Sequence, residues 1–572
     1  MVAKGGWRWL WRRRRGRSGD WIPSCQPGDS RRKRRMNSVR FRKVWTWWVA
    51  VGWVMGVAGA GAGELVFPAQ SRRVAEHGVE VVATPVRWQS EQTALIVCDF
   101  WDSHNCGNAV KRVNAMAPRV AEVVAAARAA GVFIIHAPSD CMETYDGHAA
   151  RQRAQEAPPA AAPPEAIGAW QHWISPEEEK AGYPIDASDG GCDDTPEEHA
   201  AWERQLVAEG RRAHGAAWPW RAQHPLVAID AEKDAISDRG GEIWNLLEAR
   251  GIQNVIIVGV HANMCICGRS FGLRQMARLG KNALLLRDLT DAMYNPAQPP
   301  LVSHHRGTEL TLGHIERWIA PTALSSEVFG GRPFAFSDDP RPVLAVMIGE
   351  DEYKTWETLP AFVEAELGAA YRVRYVREMA GRTGEFAGTA ALADARVLLL
   401  SVRRRALPAA QLQAVRDFVA RGGGVVGIRT SSHAFALRPG AEVAAGRAVW
   451  PEWDEAVLGG NYQQHHGNDV PTTAAVVPGA DHPVLAGVDS APFPTGSGLY
   501  INTPLREGAV PLMTGRAQGI DRPEPVAWVR RAPSGGRVFY TSLGHVEDFK
   551  RPEFRRLVTN AVSWAAADAG KP

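Results

Sequence analysis

The sequence predicts an α/β protein built on a largely parallel sheet, and three observations carry that prediction. Apolar runs of strand length recur: TALIVCDF at 93–100, VFIIHA at 132–137, PLVAID at 225–230, NVIIVGV at 254–260 and NALLLRDL at 282–289. Most are apolar on consecutive residues, as in strands buried on both faces. They alternate with segments of helical spacing, such as APRVAEVVAAARAAG and GGEIWNLLEARG, each closed by glycine. That alternation implies parallel strands with helices on both faces of the sheet.

The elements group into two such units. The first spans 64–330 and is interrupted at 141–224 by a Pro/Ala-rich and Trp-rich insertion, expected to act as a lid or interface. A linker at 331–341 leads to a second unit at 342–572, with VLAVMIGE, ARVLLLSV, GGGVVGI and RVFYTSLG as strands and LPAAQLQAVRDFVARGGG as a helix. The glycines at Gly422, Gly424 and Gly427 spell GxGxxG, but they follow a helix and enter a strand. A dinucleotide site needs the reverse order, so none is predicted.

Residues 1–63 read as a basic leader and signal peptide. Of the chain's 66 Lys/Arg and 62 Asp/Glu, residues 1–43 hold 15 and 2; the remainder has 51 and 60, a net of −9. A mildly acidic folded part argues against nucleic acid as a partner. Residues 1–35 are Arg-rich and aperiodic, which makes Met36 the expected start. From Met36, MNSVRFRK precedes VWTWWVAVGWVMGVAGAGAGE, a positive region, an apolar region and small residues suited to cleavage near Ala60 or Ala62. Export through a signal at 36–62 is expected, with an uncleaved membrane anchor as the alternative.

Seven cysteines are present, with Cys25 in the leader. Cys98, Cys106, Cys141, Cys192, Cys265 and Cys267 remain, and Cys141 with Cys192, which flank the insertion, is the expected disulfide in an exported protein. No CxxC or Cys/His spacing suggests a structural zinc. The acidic run ASDGGCDDTPEEH at 187–199 reads as a solvated loop, because it lacks EF-hand spacing.

Chemistry points to Cys265, which follows the NVIIVGV strand and opens a segment of helical spacing, ICGRSFGLRQMARLG. A thiol at a helix start is favoured as thiolate, and free N–H groups there can hold an oxyanion. A small buried core cysteine is the competing reading. In an open parallel sheet, ligands bind beyond the C-terminal strand ends. Asp99, ending the first strand, and Lys233, placed just after PLVAID, are the partners expected there as proton shuttle and cation.

On ALIVCDFWD, VIIVGVHANMCICGR and RDLTDAMYNP, residues 93–326 resemble the isochorismatase-like cysteine hydrolases, which include nicotinamidases and related amidases. The resemblance implies a three-layer doubly wound fold and an Asp–Lys–Cys triad, carried onto Asp99, Lys233 and Cys265. It implies a non-prolyl cis peptide between Val260 and His261, with the N–H groups of Cys265 and Met264 as oxyanion donors. The chain departs from the pattern around Lys233, in IDAEKDAISD; without an ammonium in the pocket, either Arg269 supplies the charge or the activity is altered or lost. It departs again at His261, where a small residue is usual. Relatives of the nicotinamidase type bind a metal near the site, so Asp102, His104, His136, Asp140 and His148 are the candidate ligands for a divalent ion such as zinc.

On GGGVVGI, DHPVLAG and YTSLGHVEDF, residues 341–566 resemble the trehalose-utilisation (ThuA-like) domains, related to class I glutamine amidotransferases. Amidotransferase relatives carry a cysteine after the GGGVVGI-like strand; here the turn is Arg429-Thr430-Ser431-Ser432, and no cysteine lies beyond Cys267. Thiolate glutaminase chemistry is therefore not expected. Arg429, His433, His465, His466 and His545 are candidates for a polar cleft suited to sugar hydroxyls. The expected function is hydrolysis of a small amide or related C–N bond, with no organic cofactor required. The alternatives are a degenerate binding protein whose second domain takes carbohydrate, or a vinyl-ether hydrolase; a homo-oligomer is open.

Overall fold

Consecutive apolar residues along each strand of the first unit face opposite sides of its sheet. Ala94, Ile96, Ile135, Val255 and Ile257 enter one core, while Leu95, Val97, Ile134, Ile256 and Val258 enter another. Every one is buried, so the strands are covered on both faces. In the computed structural model, which describes residues 63–212 and 218–567, six strands run parallel. Their order is Ala235–Ile236, Phe133–Ala137, Thr93–Cys98, Asn254–Val260, Asn282–Asp291 and Thr322–Ala323.

The second unit repeats the principle. Arg372–Met379, Val343–Gly349, Ala395–Val402, Gly424–Ile428 and Arg537–Thr541 are parallel, and Glu524–Arg531, Val510–Ala517 and Thr472–Val476 extend the sheet antiparallel. Leu344, Val346 and Ile348 face one core; Val343, Ala345 and Met347 face the other. All four strands read from the sequence of this unit are present, as is the helix Ala409–Ala420.

The second unit's strands Arg372–Met379, Thr472–Val476, Val510–Ala517 and Glu524–Arg531 have no counterpart in the sequence reading, and neither does the hairpin that opens the first unit. Glu64–Ala75 and Gly78–Gln89 pair through twelve registers as an antiparallel hairpin. Its first strand joins the first sheet at Gln70–Thr322, and its second joins the other at Ala83–Met379. The sheets thereby become one mixed, mostly parallel sheet of many strands. Arg72 reinforces the junction, pairing with Glu316 at 2.8 Å and Glu364 at 3.2 Å.

The third predicted strand is misplaced. PLVAID forms no strand, and Leu226 in it is exposed; the strand is Ala235–Ile236, five residues past the predicted end. The helix expected from Ala117 begins at Gly107 and runs through Pro118 to Ala129. The leader and the signal at 36–62 lie outside the described residues. Among those described, no helix is long and apolar enough to cross a membrane.

Candidate functional site

The strand Asn254–Val260 delivers the turn that carries Cys265. Gly259 sits at φ +117°, and a Cβ there would lie 1.9 Å from the Cys98 carbonyl oxygen, so glycine alone permits this pairing. The Val260–His261 peptide is cis. The turn is bolted to the neighbouring strand end: Ala262 N donates to Asp291 O at 2.7 Å, and Asn263 and Met293 exchange two bonds at 2.9 Å. His261 is buried, and burial together with His104 pushes its pKa well down, so its ring is neutral.

Cys265 opens a helical turn of only four residues, Cys265–Gly268, rather than the long helix its spacing suggests; Leu273–Arg278 is a separate helix. A single turn carries little macrodipole. Met264 N already donates to His261 O at 3.0 Å, which leaves the Cys265 N–H as the remaining donor of the expected oxyanion pair.

The electrostatics come instead from side chains. Asp99 ends its strand at φ +49° and is completely buried. Its carboxyl accepts from Ser139 N at 2.8 Å and from Arg269 Nε at 2.9 Å, and the Cys265 thiol lies next to both Asp99 and Arg269. Arg269 closes the same turn, its N–H donating to Cys265 O at 3.0 Å, and its Nη2 reaches Asp140 at 2.9 Å. Asp140 also has a left-handed backbone, at φ +64°. Two strained acids thus clamp one guanidinium.

Burial raises the pKa of Asp99, with Arg269 opposing. Burial and then the Asp99 charge lift Cys265 well above an ordinary thiol, again against Arg269. Burial thus favours the protonated thiol of Cys265, while at Asp99 it works against the charge that Arg269 supports. Burial works against the charge of Arg269 as well, but Asp99 and Cys265 more than restore it, and the cation is permanent. The cluster offers a nucleophile, a proton acceptor in contact with it and a fixed positive charge.

Lys233 does not belong to it. Because the third strand begins at Ala235, Lys233 stands at that strand's entry, at the opposite end from the site, and its exposed ammonium pairs with Asp230 at 3.9 Å. Arg269 occupies the cationic role in space, and its i+4 spacing from Cys265 is the signal that marks it in the sequence.

The expected metal ligands do not converge. Asp102 accepts from Arg211 at 3.0 Å and Arg221 N at 2.9 Å. His104 accepts from Cys106 N and stacks on Trp101 and Trp220; burial and then Arg112 lower its pKa to about 4. His136 lies between Gln223 and Asp234, Asp140 is held by Arg269, and His148 caps the helix Ala149–Gln155.

The insertion forms the wall of the site. Gln171 N donates to Gly268 O at 2.7 Å, and Trp170 covers Arg269 at 5.5 Å from its guanidinium. A Cβ on Gly268 would meet the Trp170 ring at 2.3 Å. The run 187–199 is no solvated loop: Asp193 grips Arg112 at 2.8 Å and 3.0 Å, and Asp194 accepts from Gly107 N and Asn108 N at 2.8 Å. It caps a helix whose own N-cap residue, Cys106, makes no side-chain cap bond. The expected Cys141–Cys192 disulfide is absent. Both are free thiols; Cys141 donates to Pro138 O, and Cys192 lies beside His199.

In the second unit, Arg429 follows the strand Gly424–Ile428 at φ +44° and is buried. Its guanidinium lies 4.0 Å from the Tyr353 ring and 4.5 Å from that of Tyr500. His433 packs on Tyr462 at 4.7 Å, His465 stacks on Tyr500 at 5.7 Å, and His545 meets Tyr353 at 6.2 Å. Four of the five candidates thus share one aromatic cluster. His466 lies beside it, its backbone N–H donating to Leu499 O and its carbonyl accepting from His465. Tyr353 and Tyr462 come from loops and Tyr500 from a short strand paired with Gln464–His465; no local pattern marks the three in the sequence.

A family model described as trehalose utilisation (ThuA) matches residues 353–565. No curated protein matches the chain. Among solved structures, a putative ThuA-like protein from Bacteroides uniformis is 17% identical, over 41% of this chain and 95% of its own, with a TM-score of 0.32. A cysteine hydrolase from Pseudomonas syringae pv. phaseolicola is 18% identical, over 43% and 94%, with a TM-score of 0.26. A glutamine amido transferase from Methylobacillus flagellatus is 14% identical, over 36% and 69%, with a TM-score of 0.21. Residues 353–565 are accordingly a ThuA-like domain.

Proposed function

We propose that the Cys265 unit is a cysteine hydrolase that cleaves a small amide or related C–N bond, in a protein exported through its leader. The contact of Cys265, Asp99 and Arg269 in one buried cluster carries this reading. Cys265 Sγ attacks the carbonyl carbon as Asp99 takes the thiol proton. The resulting oxyanion is met by the Cys265 N–H and the Arg269 charge. Collapse expels the amine, which receives the proton from Asp99, and leaves a thioester. Water, deprotonated by Asp99, then attacks the thioester; the C–S bond breaks, the acid is released, and the Cys265 sulfur takes the proton back from Asp99.

Ammonia release from a panel of small amides tests the reading. Turnover by the wild type that vanishes in Cys265→Ala is the expected result. Equal turnover by both proteins overturns it, and cleavage of vinyl ethers in place of amides assigns the ether hydrolase instead.

A second reading rests on the other cluster: the ThuA-like domain binds a polyhydroxylated ligand. Arg429 Nε is buried without a hydrogen-bond partner, its guanidinium over the faces of Tyr353 and Tyr500, and Tyr462 packs on Tyr500. Aromatic faces beside an unspent donor suit sugar rings and their hydroxyls. Calorimetry with neutral sugars should show binding that Tyr462→Ala weakens about 2- to 10-fold. Absence of heat with any sugar overturns this reading and leaves the first untouched.

A further inference from the structure

We infer that Cys106, Cys192, Asp194 and His199 form a binding site for a thiophilic divalent cation, zinc in the first place, which clips the insertion onto the body of the first unit. The site is independent of the reaction at Cys265. It is also distinct from the ligand set suggested by the family resemblance, whose residues do not converge.

The geometry comes first. The Cys106 and Cys192 sulfurs and an Asp194 carboxylate oxygen all lie within 4.8 Å of one another. Cys106 Sγ is 3.4 Å from Asp194 Oδ1, His199 Nδ1 is 3.2 Å from Asp194 Oδ2, and Cys192 Sγ is 3.9 Å from His199 Nδ1. Zinc bound at about 2.3 Å to sulfur and 2.0–2.2 Å to oxygen or nitrogen holds tetrahedral donors about 3.3–3.8 Å apart. Three of these contacts, at 3.2, 3.4 and 3.9 Å, sit close to that range, with His199 at the rim of the group formed by the other three donors, and the two sulfurs are unbonded thiols.

Donor chemistry selects the ion. Two sulfurs disfavour calcium and magnesium, which take oxygen ligands, and favour zinc. The donors are also held in place from outside, as metal ligands usually are. Gly107 N and Asn108 N fix the Asp194 carboxylate, and Asp193, the next residue along, is fixed by Arg112. Cysteine binds zinc as thiolate, so entry of the ion releases the thiol protons to solvent.

The donors come from two segments 86 residues apart in sequence, and no short spacing motif announces them. Cys106 precedes the helix Gly107–Ala129, while Cys192, Asp194 and His199 belong to the insertion. Gly191, at φ +72°, allows the approach, since a Cβ there would lie 2.4 Å from Met293 O. Met264, the residue before the nucleophile, packs on this same cluster of Cys106, Cys192 and Met293. An ion here would tie the insertion to the Cys265 turn.

The test uses the full chain purified from zinc-supplemented medium without chelator. Mass spectrometry should find one zinc per chain, lost from Cys192→Ser and from His199→Ala and retained in the control Cys141→Ser. Cobalt(II) exchanged into the wild type should show sulfur-to-metal charge-transfer absorption that weakens in Cys192→Ser. His199→Ala, at a half-exposed position, keeps the test informative if the cysteine variant fails to fold. Three results would overturn the inference: wild type free of zinc with both thiols titratable, a Cys106–Cys192 disulfide in the peptide map, or zinc retained in both variants.

Discussion

Asp99→Asn is expected to lower turnover about 10²- to 10⁴-fold, the usual worth of a positioned general base, while making Cys265 easier to alkylate. The two effects separate the roles of the carboxylate. As a base it must accept the thiol proton, and an amide cannot. As a charge it opposes the thiolate, after burial the largest cause of the raised Cys265 pKa. Removing that charge leaves Arg269 alone beside the sulfur, so the thiol ionises at lower pH. A pH series of alkylation with a small reagent, read by mass spectrometry at Cys265, should shift to lower pH in Asp99→Asn. Unchanged turnover on the substrate identified by the amide panel sinks the base assignment, and an alkylation curve shifted upward sinks the electrostatic account.

The second large effect is on stability. Glu178, from the insertion, is fully buried and accepts from Arg274 Nε at 3.1 Å, His314 Nε2 at 2.9 Å and Ile174 N at 2.6 Å. Arg274 is buried too, so Glu178→Ala strands a cation in the interior and should cost about 3–5 kcal/mol in chemical denaturation. The double replacement by leucine should recover much of that loss, because the desolvation of both charges is then avoided. The pair also titrates. Burial pushes the Glu178 carboxyl up, but hydrogen bonds from His314 and Arg274 overcome it and hold the pKa at about 2, below the ordinary 4.5. A folded-state pKa below the unfolded one contributes stability that is complete above the unfolded value and lost as pH falls through the folded one. The gap between wild type and Glu178→Ala should therefore narrow from about pH 4.5 towards about pH 2. A gap that is absent at neutral pH, or constant through that window, contradicts the assignment.

The parts of the fold legible in the sequence are those where burial on both faces leaves an unbroken apolar run. NVIIVGV, TALIVC and GVVGI are such cases. PLVAID misled because an apolar stretch does not ensure a ladder, and the true strand, Ala235–Ile236, is too short to announce itself. Lys233 slipped to the wrong end of the sheet with it. The start of the helix Gly107–Ala129 was hidden because its cap is Asp194, 87 residues from Gly107, and Pro118 imitates a helix beginning. Asp99 directly follows the strand Thr93–Cys98, and Cys265 lies one short turn past Val260, so a recognisable strand points to each position. The clamp of Asp140 on Arg269 and the tyrosines over Arg429 are contacts between segments far apart in the chain, which local pattern does not encode.

The hairpin Glu64–Gln89 sets the order in which the chain can mature. It is made hundreds of residues before its partners: Gln70 meets Glu316 across 246 positions, and Val81 meets Arg377 across 296. Contacts of such separation carry a heavy loop-closure cost and form slowly. Until Thr322 and Met379 have been made, two long strands wait with open edges, the kind of surface that recruits the wrong partner. A fragment cut at the linker would inherit the same exposed edge permanently, so the two halves are better expressed as one polypeptide than as two.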